Sequence, residues 1–247
     1  MARRLYLWRG VLGSIARART ARGIGKTKEG KIMELTLIPP PTLTQERAVQ
    51  IYFEPFLRAI ELITINHLDG DVCEFGTWYG WTARMIAEFM KAKNSKAKLY
   101  LYDSWEGFPE FTENDAACPE AQAKLWNPGD LNTGAPNDVS KEIERILNHF
   151  VPTTAIKGFY DQTLPDSLPK SIAFAHVDCD LYMSTRHVLS SIKDRLCDGA
   201  VVMFDEYNNN LASDSYGERK AKHEVFPWNL EEWFTYGPLG KAFIYHR

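Results

Sequence analysis

Asp71–Met85 reads DVCEFGTWYGWTARM, and its two halves keep different rhythms. Asp71–Gly76 is a short, mostly apolar run of the kind that forms a strand covered on both faces, whereas Trp81–Lys91 places its apolar residues at helical spacing. Between them stand Gly76 and Gly80, four apart. Gly76 permits a tight turn and the close approach of a ligand, and Gly80 lets the helix begin near the strand. A strand that passes through such a turn into a helix is the opening unit of a βαβ arrangement.

The same alternation continues in both directions. Lys98–Asp103, Thr153–Gly158, Ser171–Asp178 and Ala200–Asp205 read as further strands, and Asp138–Phe150, Ser184–Leu196 and Gly217–Phe226 as helices. Leu230–Tyr236 and Lys241–His246, joined through Gly237-Pro238, read as an antiparallel hairpin. Upstream, Val49, Tyr52, Phe53, Phe56, Leu57, Ile60 and Ile63 recur at i, i+3, i+4 and predict one amphipathic helix over 44–68. The sum is an α/β protein with a Rossmann-like, doubly wound, mostly parallel sheet, right-handed crossovers and a C-terminal antiparallel hairpin. Residues 42–247 make the domain. The stretch 104–137 is long for a connection and reads as a lid-like insertion.

Composition narrows the function classes. With 45% apolar and 25% charged residues, the 247-residue chain has the balance of a globular protein. The first 31 residues hold nine Arg or Lys against the single acid Glu29, yet the chain's net charge is −3. The remainder is therefore strongly acidic, which argues against a nucleic-acid footprint. Residues 1–41 read as a basic leader ended by Pro39-Pro40-Pro41: a poorly ordered tail, with an organellar presequence as the alternative, and dispensable for catalysis in a chain starting at Met33. No apolar run reaches the length of a transmembrane helix. Cys73, Cys118, Cys179 and Cys197 show no metal-binding spacing, so a reducing, cytoplasmic setting is expected.

Ligands of open α/β sheets bind beyond the carboxyl ends of the strands. Here five strand ends carry Glu74, Asp103, Asp161, Asp178 with Asp180, and Asp205 with Glu206. One acid there is an ordinary cap or turn residue, but a row of them repels itself unless cations compensate it. The Gly76–Gly80 turn lacks the middle glycine of a dinucleotide fingerprint and holds Trp78-Tyr79 instead, which would crowd a pyrophosphate. A phosphate-free ligand such as S-adenosylmethionine suits it. Asp103 stands where a carboxylate can accept from ribose hydroxyls, and Trp105 and Phe108 could flank an adenine, with core packing as the plainer reading. Asp178, Asp205 and Glu206 offer three oxygen ligands with open positions, the arrangement expected of Mg²⁺. His223 is a candidate general base, against a plain solvated helix residue. His176 reads as a core histidine, and Lys220–Lys222 as a solvent face.

Taken in order, DVCEFGTWYGWTARM, LYDSWEGFP, NDVSKEIERIL, KGFYDQTLP, HVDCDLYMST and VVMFDEY resemble the blocks of the macrocin-type (TylF/MycF/NovP) O-methyltransferases, from about Thr44 to Phe226. The resemblance implies a class I methyltransferase fold, S-adenosylmethionine as donor, and Mg²⁺-dependent methylation of a hydroxyl on a sugar or glycosylated small molecule. It assigns Glu74, Gly76 and Asp103, with Ser104 and Asp161 beside them, to the cofactor and Asp178, Asp205 and Glu206 to the metal; Thr77 and Gly80, in the same glycine turn, are further cofactor-binding candidates. Asp178 is then also the catalytic base, with His223 as the other candidate. Glu206 departs from the family, where a second Asp is usual, and Asn208–Tyr216 is unlike the short family segment. The resemblance also implies a homodimer. Two other readings remain: a cofactor-binding relative without methyl transfer, and a methyltransferase for a catechol or other non-sugar diol.

Overall fold

The computed structural model describes residues 52–134 and 136–247, so the leader and the start of the first predicted helix lie outside the described residues. Helix α1 (Glu54–Ile65) buries Phe56, Ala59, Ile60 and Ile63, the apolar face expected of it. Strand β1 (Asp71–Phe75) leads through the glycine turn to α2 (Trp81–Ala92), and β2 (Leu99–Asp103) opens the long insertion. Within that insertion lie two single-turn helices, α3 (Glu113–Ala116) and α4 (Pro119–Gln122). Then follow α5 (Pro136–Leu147), β3 (Thr153–Lys157), the short α6 (Tyr160–Thr163), β4 (Ile172–Val177), α7 (Tyr182–Ile192) and β5 (Leu196–Phe204). The chain closes with a turn, α8 (Asn209–Ala212), then α9 (Gly217–Val225), β6 (Leu230–Tyr236) and β7 (Gly240–Tyr245).

The strands form a seven-stranded sheet in the order β3-β2-β1-β4-β5-β7-β6. The first five pair in parallel, and β7 runs antiparallel to both β5 and β6. This is the doubly wound sheet with a terminal hairpin that the alternation predicts. β4 is buried at all six positions because helices cover both faces, which is why it reads IAFAHV rather than alternating. The order reverses between β1 and β4, and there the connections leave to opposite sides and open a crevice at the strands' carboxyl ends.

Two details differ from the expectation. The helix predicted to reach Leu196 stops at Ile192, and β5 begins at Leu196, since Leu196 pairs with Ile172 before the register shifts. Lys222 does not lie on a solvent face. It is 6% exposed, with its ammonium over the Phe243 ring, where a long stem can bury itself and keep a favourable partner. The four cysteines are free, and among the described residues no helix is long and apolar enough to cross a membrane.

Candidate active site

At the carboxyl ends of β1, β2 and β4 lies a cavity of about 1010 Å³. Gly76, Asp103, Ser104, Asp161, Asp178 and Glu206 line it, as do Asp180, Arg186 and His187. The insertion contributes Phe108, Thr112, Asp115, Trp126 and Leu131 to the cavity wall. Another cavity, about 880 Å³ at the opposite ends of the strands, takes in none of the predicted residues.

The turn after β1 is shaped by what it touches. Gly76 sits at φ +92°, and a Cβ there would collide with the carbonyl of Asp178. Asp178 in turn donates its N–H to the Phe75 carbonyl at 2.8 Å. The turn after β1 and the β4 loop are thus in backbone contact, a fit available only to glycine. Asp103 holds the turn from the other side. Its Oδ2 accepts from the N–H groups of Thr77 (2.8 Å) and Trp78 (2.7 Å), and Oδ1 from that of Trp105 (2.6 Å). A carboxylate has about four acceptor positions, so one is left for a ligand hydroxyl.

Other cofactor candidates fall outside the cavity wall. Glu74 is 0% exposed and pairs through Oε1 with Nδ1 of His176 at 3.1 Å, also wholly buried. That leaves Glu74 Oε2 and His176 Nε2 without hydrogen-bond partners. Thr77 is buried. A Cβ at Gly80 would press on Ile143, so this glycine serves the packing of α2 on α5 rather than a ligand. The two aromatic candidates separate. Trp105 is wholly buried, its indole N–H donating to the Trp78 carbonyl at 2.7 Å, while Phe108 faces the cavity.

The acids beyond β4 and β5 form a charged corner. Burial, followed by repulsion from Asp205, Asp180, Glu218 and Glu206, pushes Asp178 well above the usual carboxylate range. Asp180 and Asp205 are raised chiefly by burial too, and Glu206 is pushed up to about 7 by burial and then by Asp205. Glu206 Oε2 is buried without a hydrogen-bond partner. A buried oxygen without a donor, beside carboxylates that repel one another, fits a hard divalent cation in its chemistry. The placement is incomplete: among the described residues, no three His, Cys, Asp or Glu side chains are gathered as a metal-holding group.

His223 is not brought to the site. It lies exposed on α9, its Nε2 3.4 Å from the Tyr207 hydroxyl and 3.3 Å from Asp214 Oδ1. The structure instead reveals two buried acids that the sequence does not flag. Asp115, 2% exposed, ties the insertion to the start of α7 by accepting from the Met183 N–H at 3.2 Å. Glu218, 1% exposed, accepts from the N–H groups of Cys179 (3.2 Å) and Glu206 (3.0 Å). Both sit in a helical first turn, where an acid looks like an ordinary complement to the helix dipole. Nothing in the sequence distinguishes them from Glu113.

This sheet order, with its crevice beside a glycine turn and a β2 carboxylate, defines a class I methyltransferase fold. Residues 46–226 match the family model described as macrocin-O-methyltransferase (TylF). The chain belongs to the macrocin O-methyltransferase family. It is 23% identical to the 8-demethyl-8-(2,3-dimethoxy-alpha-L-rhamnosyl)-tetracenomycin-C 4'-O-methyltransferase of Streptomyces olivaceus, over 67% of this chain and 64% of that protein. It is 25% identical to the mycinamicin III 3''-O-methyltransferase of Micromonospora griseorubida, over 67% of this chain and 66% of the relative. Their matches thus span just under two thirds of each relative's length. The structure of the O-methyltransferase NovP superposes with a TM-score of 0.63 at 18% identity, covering 79% of each chain.

Proposed function

We propose that this chain transfers a methyl group from S-adenosylmethionine to a hydroxyl of a sugar or glycosylated small molecule, with Mg²⁺ bound by Asp178, Asp205 and Glu206. The observation that carries this reading is the backbone contact between the Gly76 turn and Asp178, which joins a donor pocket to a carboxylate corner. Gly76, Asp103, Ser104 and Asp161 would hold the donor, with Asp103 accepting from a ribose hydroxyl and Phe108 covering the base. Glu74, Thr77 and Gly80 support that turn from behind. The relatives named above are enzymes for glycosylated natural products, which favours such an acceptor over a catechol.

A divalent cation held by Asp178, Asp205 and Glu206 would supply a Lewis acid that lowers the pKa of an acceptor hydroxyl. The protein's own share is placement and proton handling. The insertion excludes water from one side of the cavity, and an Asp178 oxygen takes the hydroxyl proton as the oxygen is held in line with the methyl group. Incubation with S-adenosylmethionine, MgCl₂ and a panel of glycosides, followed by mass spectrometry, tests the reading. The expected result is a methylated glycoside that disappears with EDTA or Asp178→Asn. Donor binding with no methylated product from glycosides or diols would support the non-catalytic relative instead.

A further inference from the structure

Beyond Val177 and Phe204, the last paired residues of β4 and β5, the two parallel chains lose the ladder that spaces them. One backbone bond, from the Asp205 N–H to the Val177 carbonyl at 3.0 Å, lies at the point of divergence. From there the acid-bearing loops are gripped by one side chain. Glu218, in the first turn of α9, sends Oε1 to the N–H of Cys179 and Oε2 to the N–H of Glu206. Those N–H groups belong to the residues immediately after Asp178 and Asp205.

The grip requires a carboxylate. Glutamine offers one acceptor and one donor, so its NH₂ would meet a backbone N–H, and aspartate is a methylene shorter. Burial, followed by repulsion from Glu206 and Asp180, pushes the Glu218 carboxyl well above its ordinary range, against the bond from the Cys179 N–H, and an apolar residue would avoid that cost. Its two bonds to backbone N–H groups of separate loops are what the carboxyl provides in return. Helix α9 does not depend on this residue for its seat, because Ala221 and Phe226 are wholly buried in the core.

We propose that Glu218 is a positioning residue that sets the separation of the β4 and β5 loops, and with it the spacing of Asp178 from Asp205 and Glu206. The inference rests on those three acids being a cation site. The full-length chain is compared with Glu218→Gln, Glu218→Ala and Asp178→Asn, titrating Mn²⁺ and S-adenosylmethionine calorimetrically and recording Tm. Both Glu218 variants should bind Mn²⁺ about tenfold or more weaker while donor affinity stays within about twofold, as expected of residues that orient metal ligands. Retained donor binding shows that the variants are folded, and the isosteric Glu218→Gln decides the matter if Glu218→Ala does not fold. Wild-type Mn²⁺ affinity in Glu218→Gln overturns the positioning role alone, provided Asp178→Asn has lost it. If Asp178→Asn binds Mn²⁺ like the wild type, the cation site itself fails and the inference falls with it.

Discussion

Asp103 divides its oxygens among three backbone N–H groups, so its removal acts on the shape of a turn as well as on a ligand. Asp103→Ala should weaken donor binding by about tenfold or more, since a bond to a charged group contributes about 1.5–3 kcal/mol and three are lost; calorimetry with S-adenosylmethionine checks this. Glu206 makes a pH prediction. Its folded pKa of about 7 lies above the ordinary 4.5, so the folded form keeps a proton that the unfolded form has released. Stability from this group is full below the unfolded pKa and is lost as pH rises through the folded one. Asp178, Asp180 and Asp205 shift the same way. Metal-free protein should therefore melt several degrees higher at about pH 5.5 than at about pH 8, and Glu206→Gln should reduce that difference. An undiminished slope in the variant would remove Glu206 as its source. At this scale the strand-end acids were legible, because a strand end fixes where a side chain goes. Glu218 and Asp115 were not, because their partners are backbone groups far along the chain.

The insertion behaves as an element with its own fastening. Thr112 caps α3, Asp115 accepts from the Thr112 N–H (3.2 Å) and from the Met183 N–H, and Asn114 bonds Lys220 of α9. Asp115→Ala removes the capping and the tie together. It should cost about 1–2 kcal/mol of stability and speed proteolysis within 104–137, with a raised KM for the donor. Unchanged cleavage kinetics would mean that the segment is held by its aromatic contacts instead. The hairpin offers a cleaner case: Tyr236 donates its hydroxyl to the Phe204 carbonyl at 2.8 Å within the core. Tyr236→Phe should lower stability by about 1 kcal/mol in a denaturant titration. Helix α2, with its strong periodicity, and β4, a short continuous apolar run, were readable in the sequence nearly residue for residue. The boundary between α7 and β5 was not, because Asp198-Gly199 reads as the break before the strand, whereas β5 runs through that pair from Leu196, which pairs with Ile172.

For the molecule as a whole, the alternation of strand and helix was enough to recover a doubly wound, mostly parallel sheet with a terminal hairpin, while the strand order is encoded by no local signal and comes from the structure. The carboxylates were legible only as a row of like charges; their pairwise distances depend on loops that the sequence does not constrain. Chelation should accordingly abolish turnover while leaving donor affinity unchanged, which a parallel assay and calorimetric titration would separate. The contact of Gly76 with the Asp178 carbonyl carries this further. Gly76 and Asp178 line one cavity with nothing larger than a hydrogen atom between them, so a displacement of either is transmitted to the other. A damaged donor turn in Gly76→Ala would then be felt as misalignment by the acceptor even at saturating donor, and the two substrates would no longer report independently on their own pockets.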